Sequence, residues 1–173
     1  ETNYASKAYA ELRNEIVEGM ILKIKEKFEK VDLIAGVATG AIAYGVLVAE
    51  KMGLPFVYVR PKPKDHGMGN QVEGYLPDNA NVVVIEDLIS TGMSSLGAVE
   101  ALTKAGAHVL GMVAIFSYNF PQSRRSFEYA NVELHTLSDY NTLIDVAVAT
   151  NYIEEKDVEM LREWRYSPET WGR

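Results

Sequence analysis

The sequence predicts an α/β fold: a doubly wound, mostly parallel sheet flanked by helices. Three observations carry that expectation. Short apolar runs rich in Val and Ile alternate with longer stretches whose apolar residues recur at helical spacing. Glycines punctuate several of the junctions. The chain has 173 residues, 47% hydrophobic and 24% charged, which suits one domain with a real core. Strands that alternate with helices imply a parallel sheet covered on both faces.

The elements follow in order. Leu12, Ile16, Met20, Ile24 and Phe28 recur every four residues and predict an opening helix. VDLIAGVATG (31–40) reads as a short strand entering a loop with Gly36 and Gly40. AIAYGVLVAEKMG (41–53) is a helix stopped by Gly53, and LPFVYVR (54–60) a second strand. Residues 61–80 hold three of the six prolines and no apolar periodicity, so a long loop is expected there. A loop of that length inside a small domain points to a functional lid. NVVVIED (81–87) is a strand, SSLGAVEALTKAG (94–106) a helix ended by Gly106, and HVLGMVAIFS (108–117) a strand. VELHTL (132–137) adds a short strand. Ser138 is expected to cap the helix DYNTLIDVAVATNY (139–152), and KDVEMLREW (156–164) forms a last helix. No internal repeat divides the chain, so residues 1–173 are expected to form a single domain.

Composition removes several functions. Without cysteine there are no disulfides, thiolate metal sites or cysteine nucleophiles. His66, His108 and His135 are far apart and match no metal-ligand spacing. No apolar run approaches the roughly 20 residues that cross a bilayer, and no secretory signal opens the sequence; a cytoplasmic protein is expected. A net charge of −7 argues against a broad nucleic-acid or anionic-membrane surface.

The chemistry concentrates in NVVVIEDLISTGMSS (81–95). Two adjacent acids, Glu86 and Asp87, close an apolar strand, and ligands of open α/β sheets bind at that end of strands. Adjacent carboxylates suit the vicinal hydroxyls of a ribose, or a hard cation such as Mg²⁺. Because side chains alternate along a strand, one acid should face a ligand more directly than the other. Ser90, Thr91, Gly92, Ser94 and Ser95 then supply hydroxyls and backbone N–H groups at a helix start, where the dipole favours phosphate.

This string resembles the phosphoribosyl-pyrophosphate (PRPP) signature of type I phosphoribosyltransferases. The resemblance implies that Glu86, Asp87, Leu88, Ile89, Ser90, Thr91, Gly92, Met93 and Ser94 bind PRPP, the acids on the ribose hydroxyls and the turn on the 5′-phosphate. YVRPKPKDHGMGNQVEG (58–74) resembles the mobile catalytic loop of the orotate phosphoribosyltransferases, with Arg60, Lys64, Asp65, His66 and Gly67 at the matching positions. Breaking the C1–O bond of PRPP leaves an oxocarbenium-like sugar and a highly charged pyrophosphate, which Arg60, Lys64 and His66 can neutralise. By this resemblance Lys64, His66 and Asp87 are the catalytic candidates, and Ser90 lies near the orotate base. GVATGAIAYG (36–45) resembles the pyrophosphate loop, with the N–H groups of Ala38, Thr39 and Gly40 facing the leaving group. The family further implies Mg²⁺ brought by PRPP, with Glu86 and Asp87 as candidate protein ligands, and a homodimer in which the 60–76 loop reaches the neighbouring site. GMVAIFSYNF (111–120) and the helices of 138–173 resemble the family's last strand and C-terminal helices. His108 and His135 read as structural, and Trp164 and Trp171 as packing or interface anchors.

The chain departs from the family pattern in places. No counterpart of the family's N-terminal hood segment lies upstream of the first helix, so that segment is expected to be missing. Tyr118 stands nearest the position of a base-binding Arg, with Arg124 and Arg125 as possible substitutes. Thr39 and Gly40 replace the usual lysine of the pyrophosphate loop, and Pro61 replaces a second lysine beside Lys62. The expected function is transfer of the phosphoribosyl group from PRPP to orotate. The alternatives are transfer to another base and a PRPP-binding regulatory module without turnover.

Overall fold

The structure is a computed structural model, which describes residues 10–62, 71–166 and 168–170. Helix α1 (Ala10–Lys27) leads into β1 (Leu33–Val37), α2 (Ala41–Met52), β2 (Phe56–Val59) and a two-residue β3 (Val72–Glu73). Then come β4 (Asn81–Ile89), α3 (Met93–Lys104), β5 (His108–Ser117), α4 (Pro121–Tyr129), β6 (Leu134–Asp139), α5 (Tyr140–Ala149) and α6 (Val158–Trp164). The six strands lie in the order β3-β2-β1-β4-β5-β6, parallel throughout except for β3, which runs antiparallel to β2. The predicted doubly wound α/β architecture is therefore the one observed.

Strand periodicity builds two cores, one on each face. Leu33, Ala35, Val82 and Val84 point to one side and pack with Val99, Leu102 and Phe127 of α3 and α4. Their neighbours Ile34, Val83 and Ile85 point to the other side and meet Val17, Met20, Ile24, Tyr44 and Val48 of α1 and α2. Leu33, Ile34, Val82, Val83, Val84 and Ile85 are fully buried, and each such side chain stabilises the fold by about 1.5–3 kcal/mol. The β4–β5 register shifts once, between Val82 and Val83, and then runs unbroken to Ile89, so the adjacent acids Glu86 and Asp87 fall on opposite faces, Glu86 towards α3.

Four expectations change. Leu12 is half exposed; the inward face of α1 is Val17, Met20, Ile21 and Ile24, a stripe shifted round the helix, with Phe28 packing just past its last turn. The 61–80 stretch contains β3, whose Val72 pairs with Val59, so part of the expected loop is the return arm of a hairpin. Asp139, not Ser138, caps α5: its carboxylate accepts from the Thr142 N–H at 2.9 Å, while Ser138 belongs to β6. Helix α4 was not expected. Its signs are Pro121 at the first helical position, which needs no donor there, and Ser123 and Phe127 buried four apart.

Candidate active site

The chain leaves β1 towards β2 on one side, and the next parallel strand, β4, lies on the other side of β1. The crevice between the carboxyl ends of β1 and β4 is thus the switch point where open α/β sheets bind ligands. A cavity of about 270 Å³ opens there, walled by Val37 to Gly40, by Glu86 to Leu88 and by Ser90 to Ser95. The sequence-predicted pyrophosphate loop and PRPP signature are brought face to face across it.

The two acids part company. Asp87 is half-buried, and its carboxylate occupies the space beside Gly40 that a side chain there would fill. Gly40 has ordinary helical dihedrals, so its lack of a side chain serves this close approach and not a turn. Gly40→Ala should therefore displace Asp87 without straining the backbone. The expected result is at least a tenfold weaker PRPP affinity, with a stability loss of about 1–3 kcal/mol from overpacking, read by calorimetry and thermal melting.

Glu86 is 5% exposed. Its Oε1 accepts from the Asp87 N–H at 3.0 Å and its Oε2 accepts from the Ser95 hydroxyl at 2.8 Å. Burial, reinforced by the neighbouring Asp87 side chain, pushes its carboxyl up to about 8. The folded state thus holds the proton more tightly than the unfolded chain, whose ordinary value is 4.5. That contribution to stability is complete below about pH 4.5 and is lost as pH rises through about 8. Urea melts between pH 5 and 9 should show this decline in the native protein and a flatter profile for Glu86→Gln.

The turn after β4 is shaped for close approach. Gly92 has φ +82°, and a Cβ there would meet the Phe127 ring. It opens α3 without a side-chain cap, leaving the helix start to whatever fills the cavity. Ser90 and Ser94 are exposed and Thr91 half-buried along the same wall, together with Leu88 and Met93. Ile89, expected among the PRPP contacts, turns its fully buried side chain into the core and is not among the lining residues. The Ala38–Thr39 peptide bond opposite is cis.

Arg60 stands at the exit of β2 and borders an adjoining cavity of about 150 Å³, which shares Val37, Ala38, Met93 and Ser94 with the first. Its backbone is pinned to Gln71, N–H to carbonyl at 2.9 Å. Its Nη1 is buried, 3.7 Å from Glu73 Oε1, and makes no hydrogen bond among the described residues. Such a cation is placed for an anion beside the cavity. Lys64, Asp65, His66 and Gly67 lie outside the described residues, and Lys62 is exposed. Sequence reasoning missed the Arg60–Glu73 pair and the bond from Ser95 to Glu86. Ser95 sits nine residues after the acid, a separation that only the strand-turn-helix geometry makes short.

The comparisons with known proteins agree with this geometry. The phosphoribosyl transferase domain model matches residues 7–149. An orotate phosphoribosyltransferase of Porphyromonas gingivalis is 55% identical over 170 residues, covering 98% of this chain and 81% of that protein. The chain belongs to the orotate phosphoribosyltransferase family. A second relative of that name, from Enterococcus faecalis, is 51% identical over 171 residues, 99% of this chain and 81% of its own length. Among solved structures, an orotate phosphoribosyltransferase from Aeropyrum pernix superposes with a TM-score of 0.71 at 23% identity, covering 82% of this chain and 77% of that one. The Leishmania donovani UMP synthase gives 0.75 at 20%, covering 91% of this chain and 34% of that one. At those identities the two structures speak for the fold alone.

In this member of the orotate phosphoribosyltransferase family, Tyr118 does not stand alone. Its ring stacks on Phe120 at 5.2 Å and meets Trp164 edge-on at 5.7 Å, with Phe116 and Tyr140 completing the cluster. Arg124 borders a separate cavity with Ser117 and Asn119, and Arg125 is exposed on the same helix. Neither lines the cavity between β1 and β4. His108 and His135 lie away from it, His108 against Asn81 at 2.8 Å and His135 against Glu133 at 2.7 Å. No helix among the described residues is long and apolar enough to cross a membrane.

Proposed function

We propose that this chain transfers the 5-phosphoribosyl group of PRPP to orotate, giving orotidine 5′-monophosphate and pyrophosphate, a step of pyrimidine synthesis. The single observation that carries the reading is the switch-point cavity in which a half-buried carboxylate, Asp87, faces both a phosphate-binding helix start and the 38–40 loop. The relatives' name supplies the acceptor base. A ring nitrogen of orotate gives its electron pair to C1 of the ribose and releases its proton to solvent, and the C1–O bond breaks with its pair leaving on pyrophosphate.

Asp87 accepts from the ribose hydroxyls, which fixes the sugar and offsets its positive charge in the transition state. The turn at Ser90 to Ser94 binds the 5′-phosphate. Arg60, with Lys64 and His66 of the sequence motif, balances the charge that grows on pyrophosphate. Among the described residues no group of three or more His, Asp or Glu could hold a metal. Mg²⁺ takes one or two carboxylates and the substrate's own phosphates. Asp87 is the carboxylate in place for it, and the ion would polarise the pyrophosphate oxygens. A homodimer in which the 60–76 segment serves the neighbouring site, a cytoplasmic location, and the absence of nucleic-acid or membrane partners belong to the same reading, supported by the family resemblance and the −7 charge.

Loss of orotate absorbance on adding PRPP and Mg²⁺ tests it. Turnover with orotate and none with adenine is expected. Turnover with adenine alone would move the chain to another base.

A further inference from the structure

We infer that Glu86 and Ser95 form a buried brace across the phosphate turn, and that Ser95, whose hydroxyl is donated to Glu86, is a positioning residue for PRPP. One carboxyl group grips both ends of the segment: Oε1 takes the Asp87 N–H at 3.0 Å and Oε2 takes the Ser95 hydroxyl at 2.8 Å. Both residues are nearly buried at the cavity wall, Glu86 5% and Ser95 3% exposed. Between the grips lie the exposed residues Leu88, Ser90, Met93 and Ser94, which wall the cavity.

The geometry gives the brace a specific task. PRPP must reach the Asp87 carboxylate with its ribose and the start of α3 with its 5′-phosphate at once, and the spacing of those groups within the ligand is fixed. Asp87 belongs to β4 and Ser95 to α3, so a bond from Glu86 to Ser95 ties strand to helix and holds the two subsites at one separation. The Gly92 turn between them, at φ +82° and packed on Phe127, has no side chain to do so. Ordinary strand alternation makes the adjacent acids diverge, Glu86 inward to the brace and Asp87 towards Gly40 at the cavity.

The inference rests on the proposed reaction of PRPP, and its test separates the two. PRPP affinity by calorimetry, steady-state kinetics and melting temperature are measured on the intact chain as wild type, S95A, S95C and E86Q. Loss of one buried hydrogen bond corresponds to about a tenfold change in binding. S95A is expected to raise the PRPP Kd about tenfold while the KM for orotate stays within about twofold. E86Q should fall between S95A and wild type, because its amide can accept from the Asp87 N–H and donate to the Ser95 oxygen. If S95A does not fold, S95C, of similar volume and weak as a donor, replaces it in the comparison. A lowered melting temperature with an unchanged PRPP Kd would make Ser95 merely structural and overturn the brace. E86Q weaker than the Ser95 variants would make the Glu86 carboxylate a direct ligand, with the same consequence. Wild type that binds PRPP but leaves orotate untouched overturns the reaction and leaves the brace to be read from Kd; wild type that binds no PRPP overturns both.

Discussion

Asp87→Asn is expected to lower kcat/KM by about 100-fold or more while leaving the melting temperature within a few degrees of wild type. Asparagine has the size of aspartate and still fits the space beside Gly40, so the packing that places the residue survives. What disappears is the charge and the second acceptor. Hydrogen bonds to charged groups contribute about 1.5–3 kcal/mol each, and about 1.4 kcal/mol is tenfold in rate, so weakening two of them accounts for that loss. In the proposed reaction the charge faces the developing cationic sugar, which puts part of the deficit in kcat and not only in KM. A variant with near-native kcat/KM would remove Asp87 from the ribose site.

Lys64→Ala is expected to reduce kcat by about 100- to 1,000-fold, the range for deleting one preorganised group opposite developing charge. The residue lies outside the described part of the chain, so this expectation rests on the KDHG string and on the chemistry of the leaving group. Pyrophosphate departs with several negative charges, and the described flank of the segment supplies only Arg60 with a buried guanidinium nitrogen. Stopped-flow or steady-state assays under saturating PRPP measure it. Unchanged kcat would pass the role to Lys62, which is exposed where the same segment begins.

The sheet was legible because its strands are short, β-branched and covered on both faces, a pattern few other elements share. The functional turn was legible for a related reason: acids, hydroxyls and a glycine at the end of a buried run have little use in a core. What escaped reading depended on partners distant in sequence. Helix α4 buries Ser123 and Phe127 but leaves most of its short surface polar, so its periodicity is faint. Strand β3 is two residues long and exists because Val59 and Tyr58 offer it an edge. The unequal fates of Glu86 and Asp87 follow from strand alternation, which the sequence announces, but the partner of the buried acid, Ser95 on the next helix, has no local sign.

The proton on Glu86 also bears on how an anion reaches this site. PRPP is densely negative, and the protein it approaches carries a net −7. A pair of ionised acids at the cavity wall would add to that repulsion, by about 1 kcal/mol for each pair of unit charges 4 Å apart even at the dielectric of water. Because the Glu86 carboxyl is held up to about 8, it keeps its proton at neutral pH and adds no charge to the wall, with the Arg60 cavity adjoining. Ionisation of Glu86 in alkaline solution would add one unit of negative charge there. Substrate capture should then slow, most visibly at low ionic strength, where no salt cloud shields the approach.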